Sequence, residues 1–475
     1  MNELQLFALT PLIVLSASSV ILMLLIAFSR RHGTVAYMTS GALLVAFFWL
    51  PAVYSDLPQQ VTSLVVMDGY AVFFIGLILA AAFALVPISY PYLENRRGRP
   101  EEYYLLLLLA SLGAAVVAAS SHFAAFYIGL EILSVSLYAM IAYERGSPLR
   151  LEAGVKYLIL AAVSSAFLLF GIALIYAEFG SMEFSGIASR AGTGGITALV
   201  GTAMVLAGVG FKLALVPFHM WTADVYEGAP PPVTAYIATV SKGAVFALLL
   251  RYVNQYDVLA SPQVLLVLTA VAVASMVVGN LLALMQNNVK RILAYSSIAH
   301  IGYLLVALVA GGAFALTVVS YYLVAYFVTT IAAFGVIAVL STSERDAALI
   351  DDYRGLAWRR PWLAGVFTAM LLSLAGIPLT AGFMGKFYVV ASGVSSALWL
   401  LVGTLVVTSV IGLFYYLRLV AAMFDQVEPE VTAPREHPAG SFAATAVLAV
   451  LALLLLVLGV YPAPFIRLIA ATVAF

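Results

Sequence analysis

Long apolar runs broken by short polar connections pattern almost the whole chain, as in Leu105–Val117 and Ala446–Val460. A helix that crosses the hydrocarbon layer needs about 20 predominantly apolar residues. Measured against that length, the pattern predicts fourteen spans, near 8–28, 34–54, 70–91, 103–119, 121–143, 154–178, 196–226, 230–252, 264–284, 292–310, 313–341, 361–391, 397–424 and 441–467. The longest polar connections fall near 179–195, 342–360 and 425–440, and none is long enough for a separate soluble domain. The fold class expected is therefore an all-α polytopic membrane protein.

Composition agrees with the pattern. Of 475 residues, 64% are hydrophobic and only 9% charged. A soluble domain carries about 25% charged residues, so a single water-soluble globule is excluded, as are a coiled coil and a disordered chain. Cysteine is absent, which removes disulfides, thiolate metal sites and iron–sulfur ligation by this chain. The 22 basic and 22 acidic residues cancel, so no basic field points to nucleic acid. Met1 to Phe7 lacks Lys and Arg, unlike the start of a cleavable signal peptide, and the first apolar segment is expected to remain as an anchor.

The basic residues orient the array. One set of alternate connections holds Arg30, Arg31, Arg96, Arg97, Arg99, Arg145, Arg150, Lys290, Arg291, Arg345, Arg354, Arg359, Arg360 and Arg435. The other set holds Arg190, Arg251 and Arg467. The positive-inside bias places the first set in the cytoplasm and both termini on the far side of the membrane. These cations are read here as a topology signal.

Candidate chemistry lies where charge enters the spans. Of five lysines, Lys156, Lys212, Lys242 and Lys386 fall inside or at the edge of a span, and Glu131 lies in the fifth. A charge at mid-membrane costs at least about 2.5–3.5 kcal/mol, so such groups face the protein interior and find partners. Lysine can give up its proton when buried, whereas arginine stays charged. Glu131 with one lysine forms either a fixed structural pair or a movable one. Lys156 lies near its helix start, where it either snorkels to the surface or joins the interior. His219 and His300 are either packing residues or members of a proton path. His219 is close to Lys212 in sequence, and His300 follows the polar stretch Tyr295, Ser296, Ser297.

Two spans are long and interrupted. Pro217 follows Lys212 by five residues, and Pro378 precedes Lys386 by eight. Proline has no N–H, so the carbonyls of Leu213 and Leu374 lose their helical partners. Each break is either a packing kink or a point where water meets a lysine, because unpaired backbone at membrane depth must be surrounded by protein or water. Two breaks about 160 residues apart fit two five-helix units, spans four to eight (103–252) and nine to thirteen (264–424). Five is odd, so the second unit is expected to be inverted. A three-helix segment (1–102) precedes them and one helix (441–467) follows.

Four stretches carry a family resemblance: Gly210–Trp221 (GFKLALVPFHMW), Asp224–Val233 (DVYEGAPPPV), Asn288–Leu304 (NVKRILAYSSIAHIGYL) and Leu371–Tyr388 (LLSLAGIPLTAGFMGKFY). In this order and spacing the chain resembles the antiporter-like membrane subunits of bacterial respiratory complex I, and among them the subunit N family of NADH-quinone oxidoreductases. Lysine at position 386, the length and the lack of a long lateral C-terminal helix favour subunit N over its relatives.

The resemblance implies proton translocation from cytoplasm to periplasm, driven by quinone reduction elsewhere in the complex. It implies no cofactor in this chain. NADH, FMN, iron–sulfur clusters and quinone would belong to partner subunits, and the neighbours would be other antiporter-like and small membrane subunits. Glu131 matches the family's fifth-helix carboxylate, and Lys212 the broken seventh-helix lysine that pairs with it. Lys242 matches the eighth-helix lysine, Lys386 the broken twelfth-helix lysine, Lys156 a sixth-helix lysine, and His219 a histidine just past the first break. Ala223 and Glu227 depart from the family's commoner Pro and Gln. A subunit of an Mrp-type cation/proton antiporter, and a structural membrane subunit with fixed charge pairs, are the rival readings.

Overall fold

A computed structural model describes residues 3–55, 57–96, 98–144, 146–190, 194–255, 259, 261–426 and 442–473. Arg97, Arg145, Arg435 and the connection 427–441 lie outside the described residues. All fourteen expected spans are helical. Thirteen helices among the described residues are long and apolar enough to cross a membrane. The remaining span is split into Pro361–Ala375 and Ala381–Ser395.

Helix ends follow local chemistry. Asp68, His122, Asn288 and Thr380 each accept a bond from a backbone N–H of the first turn that follows. Gly180 ends the sixth span, Pro148–Phe179, with a positive φ. That helix begins six residues before the expected 154, because Pro148 suits a first helical position.

The last span differs from expectation. It was expected to run over 441–467, but Phe442–Val460 ends at Tyr461–Pro462 and a separate helix, Ala463–Val473, follows. Pro462 cannot donate to the preceding turn. The short helix returns to the start of the third span, where a Cβ on Gly69 would fall 2.2 Å from the Thr472 carbonyl oxygen.

The helices pack most closely where they carry no side chain. The fourth span, Glu101–Ala119, crosses the fifth, Phe123–Ile141, at Gly113. A Cβ there would lie 2.6 Å from both the Gly129 carbonyl oxygen and the Leu133 nitrogen. The ninth span, Pro262–Leu284, meets the tenth, Val289–Ala310, at Gly279 in the same way. The tenth and eleventh (Gly312–Leu340) are buried almost throughout, as is the eighth, Pro231–Asn254. These three form the centre of the molecule.

Alternate connections gather on opposite faces. On one face Val65 bridges to Ser120 and His122 to Glu183, while Asp68 holds Arg251 at 2.6 Å. On the other, arginine-rich face, Asn288 bridges to Leu349. There the structure departs from a mere topology signal: three of the basic residues are buried around one carboxylate. Asp346 accepts from Lys290 (2.9 Å), Arg96 (2.7 Å), Arg150 (3.3 Å) and the Tyr92 hydroxyl (2.8 Å). Glu144 pairs with the same two arginines. Burial alone would raise the Asp346 carboxyl, but Lys290, Arg150 and Arg96 outweigh it and bring it to about 2.

Two outcomes follow for stability. The Asp346 carboxyl is held below its ordinary 3.8, so it stabilises the fold above that pH and loses this as pH falls towards 2. A displacement of that size corresponds to about 2 kcal/mol. The gap in thermal midpoint between the wild type and Asp346→Asn, measured in detergent, should therefore be level near neutrality and narrow below about pH 4. Gly113→Val should lower the midpoint at every pH, by an overpacking cost of about 1–3 kcal/mol.

Candidate functional site

Both interrupted spans reverse locally through a residue other than glycine. In the seventh, Ile196–Leu213 ends at Ala214 with φ +60°, and Thr222–Gly228 resumes the path. In the twelfth, Gly376 (φ +87°) ends the first half and Leu379 has φ +72° before Thr380 caps the second. A left-handed residue with a Cβ costs on the order of 1–2 kcal/mol. Such strain persists where surrounding structure imposes it, often at functional positions.

The orphaned carbonyl of the twelfth span has a taker. Lys386 Nζ donates to the carbonyls of Leu374 and Ala375, each at 2.9 Å. These are the acceptors whose helical donors are lost at Pro378 and Leu379. Lys386 thus lies folded back against its own break, with its nitrogen 5.1 Å from the centre of the Tyr303 ring.

The tenth span ties two lysines together. Lys242 Nζ donates to Ser297 Oγ at 2.6 Å. The Tyr326 ring lies 5.5 Å from the His300 ring. His300 Nδ1 is 2.7 Å from the Tyr322 hydroxyl, and its Nε2 is 3.4 Å from the Tyr416 hydroxyl. Tyr416 also meets Ser296. Tyr303, 5.4 Å from His300 between ring centres, completes the contact to Lys386. Ser297, His300 and Tyr303 recur every three residues and so share one helix face. Lys242 itself follows a π-helical turn, Ile237–Ser241, a form that often marks functional positions.

Glu131 and Lys212 form a second cluster. The expected ion pair between them is absent: no lysine nitrogen lies within 4 Å of the Glu131 carboxylate. Instead Glu131 accepts from Ser165 at 2.6 Å, and Lys212 donates to Ser134 at 2.7 Å. Glu131 and Ser134 stand one helical turn apart, so carboxylate and ammonium share a face of the fifth span with hydroxyls as partners. Between Lys212 and Lys242 lie aromatic rings. Tyr157 is 5.9 Å from the Lys212 nitrogen, Trp221 is 4.8 Å from Tyr157, and Tyr226 is 6.5 Å from Trp221 and 5.4 Å from the Lys242 nitrogen. The Tyr226 hydroxyl reaches Ser297 at 3.4 Å.

Two expected members stand apart from these clusters. Lys156 is not buried: its side chain is 43% exposed and pairs with Glu152 (2.7 Å) and Asp224 (2.8 Å). Its early position in the helix lets the side chain reach the arginine-rich face. Asp224 and Glu227 also bind Arg291, which anchors Thr222–Gly228. His219 is buried inside the first break with its Nδ1 unpartnered, and no hydrogen bond joins it to Lys212. Ser134, Ser165, Tyr303, Tyr322 and Tyr416 carry the contacts and were not singled out from sequence. A hydroxyl three residues beyond Glu131, and another three beyond His300, is the sequence signal for Ser134 and Tyr303. Among the described residues no group of three or more His, Asp or Glu side chains is placed to hold a metal ion.

Residues 120–412 match the family described as NADH:quinone oxidoreductase/Mrp antiporter, transmembrane. NADH-quinone oxidoreductase subunit N of Nitrosospira multiformis is 51% identical, over 97% of this chain and 95% of that protein. A chain of respiratory complex I from Thermus thermophilus has a TM-score of 0.82 and 34% identity, over 97% of this chain and 99% of that one. A chain of the Mrp complex from Dietzia sp. DQ12-45-1b has a TM-score of 0.84 at 21% identity, over 100% and 97%, and so shares the fold. By matched length and by identity across the full sequence, the chain belongs to the NADH-quinone oxidoreductase subunit N family of antiporter-like membrane proteins.

Proposed function

We propose that the chain is a proton-translocating membrane subunit of a bacterial NADH:quinone oxidoreductase. It works beside other membrane subunits of that complex, whose partners hold NADH, FMN, iron–sulfur clusters and quinone. The observation that carries this reading is the buried series Lys242, Ser297, His300, Tyr303 and Lys386, hydrogen-bonded at Lys242–Ser297 and in ring contact from His300 through Tyr303 to Lys386. Hydroxyl and imidazole groups both donate and accept, so they can hand on a proton that a lysine releases.

In this mechanism protons enter from the arginine-rich, cytoplasmic face and leave at the periplasmic face, where both termini lie. Glu131 governs the charge on Lys212 from its shared helix face. Moving the carboxylate towards the lysine favours the ammonium, and moving it towards Ser165 favours release. The step from Lys212 to Lys242 passes the aromatic rings, where water and rotation of the Tyr226 hydroxyl complete the path; His219 borders it. Lys386 delivers the proton on the far side. Units 103–252 and 264–424 act as inverted halves, a reading supported by their matching breaks, each with a left-handed residue that is not glycine. Lys156 serves at the cytoplasmic mouth as the clamp on Asp224. An Mrp-type antiporter remains the rival, and the much higher identity to subunit N favours the oxidoreductase.

The test is proton uptake by inside-out vesicles during NADH oxidation. Lys242→Ala and Lys386→Ala should each lower protons moved per NADH by about tenfold or more, in line with loss of an acid–base group. Lys156→Ala should stay within about twofold of wild type, as expected for an exposed ion pair. Wild-type coupling in both Lys242→Ala and Lys386→Ala would overturn the reading.

A further inference from the structure

Lys290 is the one lysine that the proton line does not use and that is fully buried, at the arginine-rich end of the tenth span. Its ion pair with Asp346 does not account for it. Without Lys290, Arg96 and Arg150 already balance Asp346 and Glu144, two cations against two carboxylates. A third cation leaves that buried group with an excess positive charge, which is costly unless it has another use.

Its second bond supplies the use. Lys290 Nζ donates to the Ala229 carbonyl at 2.6 Å. Ala229 forms the turn between Thr222–Gly228 and the eighth span, and Pro230, Pro231 and Pro232 follow it. Three consecutive prolines offer no backbone N–H. Beyond Lys290, the Ala229 carbonyl receives a hydroxyl bond from Thr234 at 3.4 Å.

The turn has leverage on the site. Upstream it holds Tyr226 and downstream it starts the helix that carries Lys242. Both meet Ser297, Tyr226 at 3.4 Å and Lys242 at 2.6 Å. Ser297 lies seven residues after Lys290 on the same helix, which is two turns along one face, about 10 Å. The tenth span therefore grips this unit twice, at the turn through Lys290 and at the proton line through Ser297.

We propose that Lys290 is a positioning residue: by tethering the Ala229 carbonyl it sets the approach of Lys242 and Tyr226 to Ser297. The inference rests on the use of Lys242 proposed above. Lys290→Met removes the tether and leaves the remaining two arginines and two carboxylates balanced.

The experiment uses the assembled complex in inside-out vesicles and two readouts. The first is protons moved per NADH oxidised. The second is the rate at which a water-soluble maleimide labels Ala229→Cys, a buried position in a chain with no other cysteine. Lys290→Met should lower the proton ratio by about tenfold or more, as misplacement of a reacting group does. It should also raise the labelling rate about tenfold through local opening of the turn. Lys290→Arg, which keeps a long donor, should recover most of both.

Unchanged labelling overturns the proposal, and so does raised labelling with an unchanged ratio. A Lys242→Ala complex with a wild-type ratio removes the use of Lys242 on which this inference rests and overturns the inference, even where labelling rises. Should Lys290→Met fail to assemble, Lys290→Gln, which stops one bond short of the carbonyl but stays polar, is judged by the same two measurements.

Discussion

A lysine ammonium held away from water must find oxygen, and most of the internal architecture answers that demand. The hydrocarbon supplies none, so each buried lysine is met by a hydroxyl, a carboxylate or a released backbone carbonyl. Lys212 takes Ser134, Lys242 takes Ser297, Lys290 takes Asp346 and Ala229, and Lys386 takes Leu374 and Ala375. The three lysines of the proposed line thus have neutral partners, while the one outside it has a carboxylate. Neutral oxygens solvate an ammonium without holding it as tightly as an anion does. That difference separates groups suited to exchange a proton from a group suited to stay put.

The same demand shapes the helices. An uninterrupted span would bury its carbonyls in its own ladder and leave nothing for Lys386. Pro378 opens the ladder, Gly376 and Leu379 turn the chain, and Thr380 starts it again. The seventh span opens at Ala214 and closes at Thr222, while the Trp221 indole donates to the Phe211 carbonyl. The glycine contacts at Gly113 and Gly279 bring the backbones of neighbouring spans close together.

Much of this was legible in the chain. Span length and hydropathy are local properties, so all fourteen helices could be read directly. The breaks were legible because proline removes a donor whatever surrounds it. Burial of Lys212, Lys242, Lys386 and His300 followed from their depth in apolar runs. What escaped was long-range. The pairing expected between Glu131 and Lys212 depends on how three helices cross, and hydroxyls of Ser165 and Ser134 intervene. Lys156 lies early enough in its helix for a long flexible side chain to reach Asp224. Arg96, Arg150 and Lys290 resemble any basic loop residues until they converge on Asp346 from 56 to 250 residues away in sequence. The stop at Tyr461–Pro462 was visible as a proline but was absorbed into an apolar run.

The arrangement at Lys386 has a final bearing on how the protein tolerates titration. A neutral amine retains two N–H bonds, and the two carbonyls of the twelfth-span break are two acceptors. Either ionisation state of the side chain can therefore fill the same seat. The gap in the helix stays plugged as protons come and go, so a change of charge at this place requires no refolding of the backbone that surrounds it.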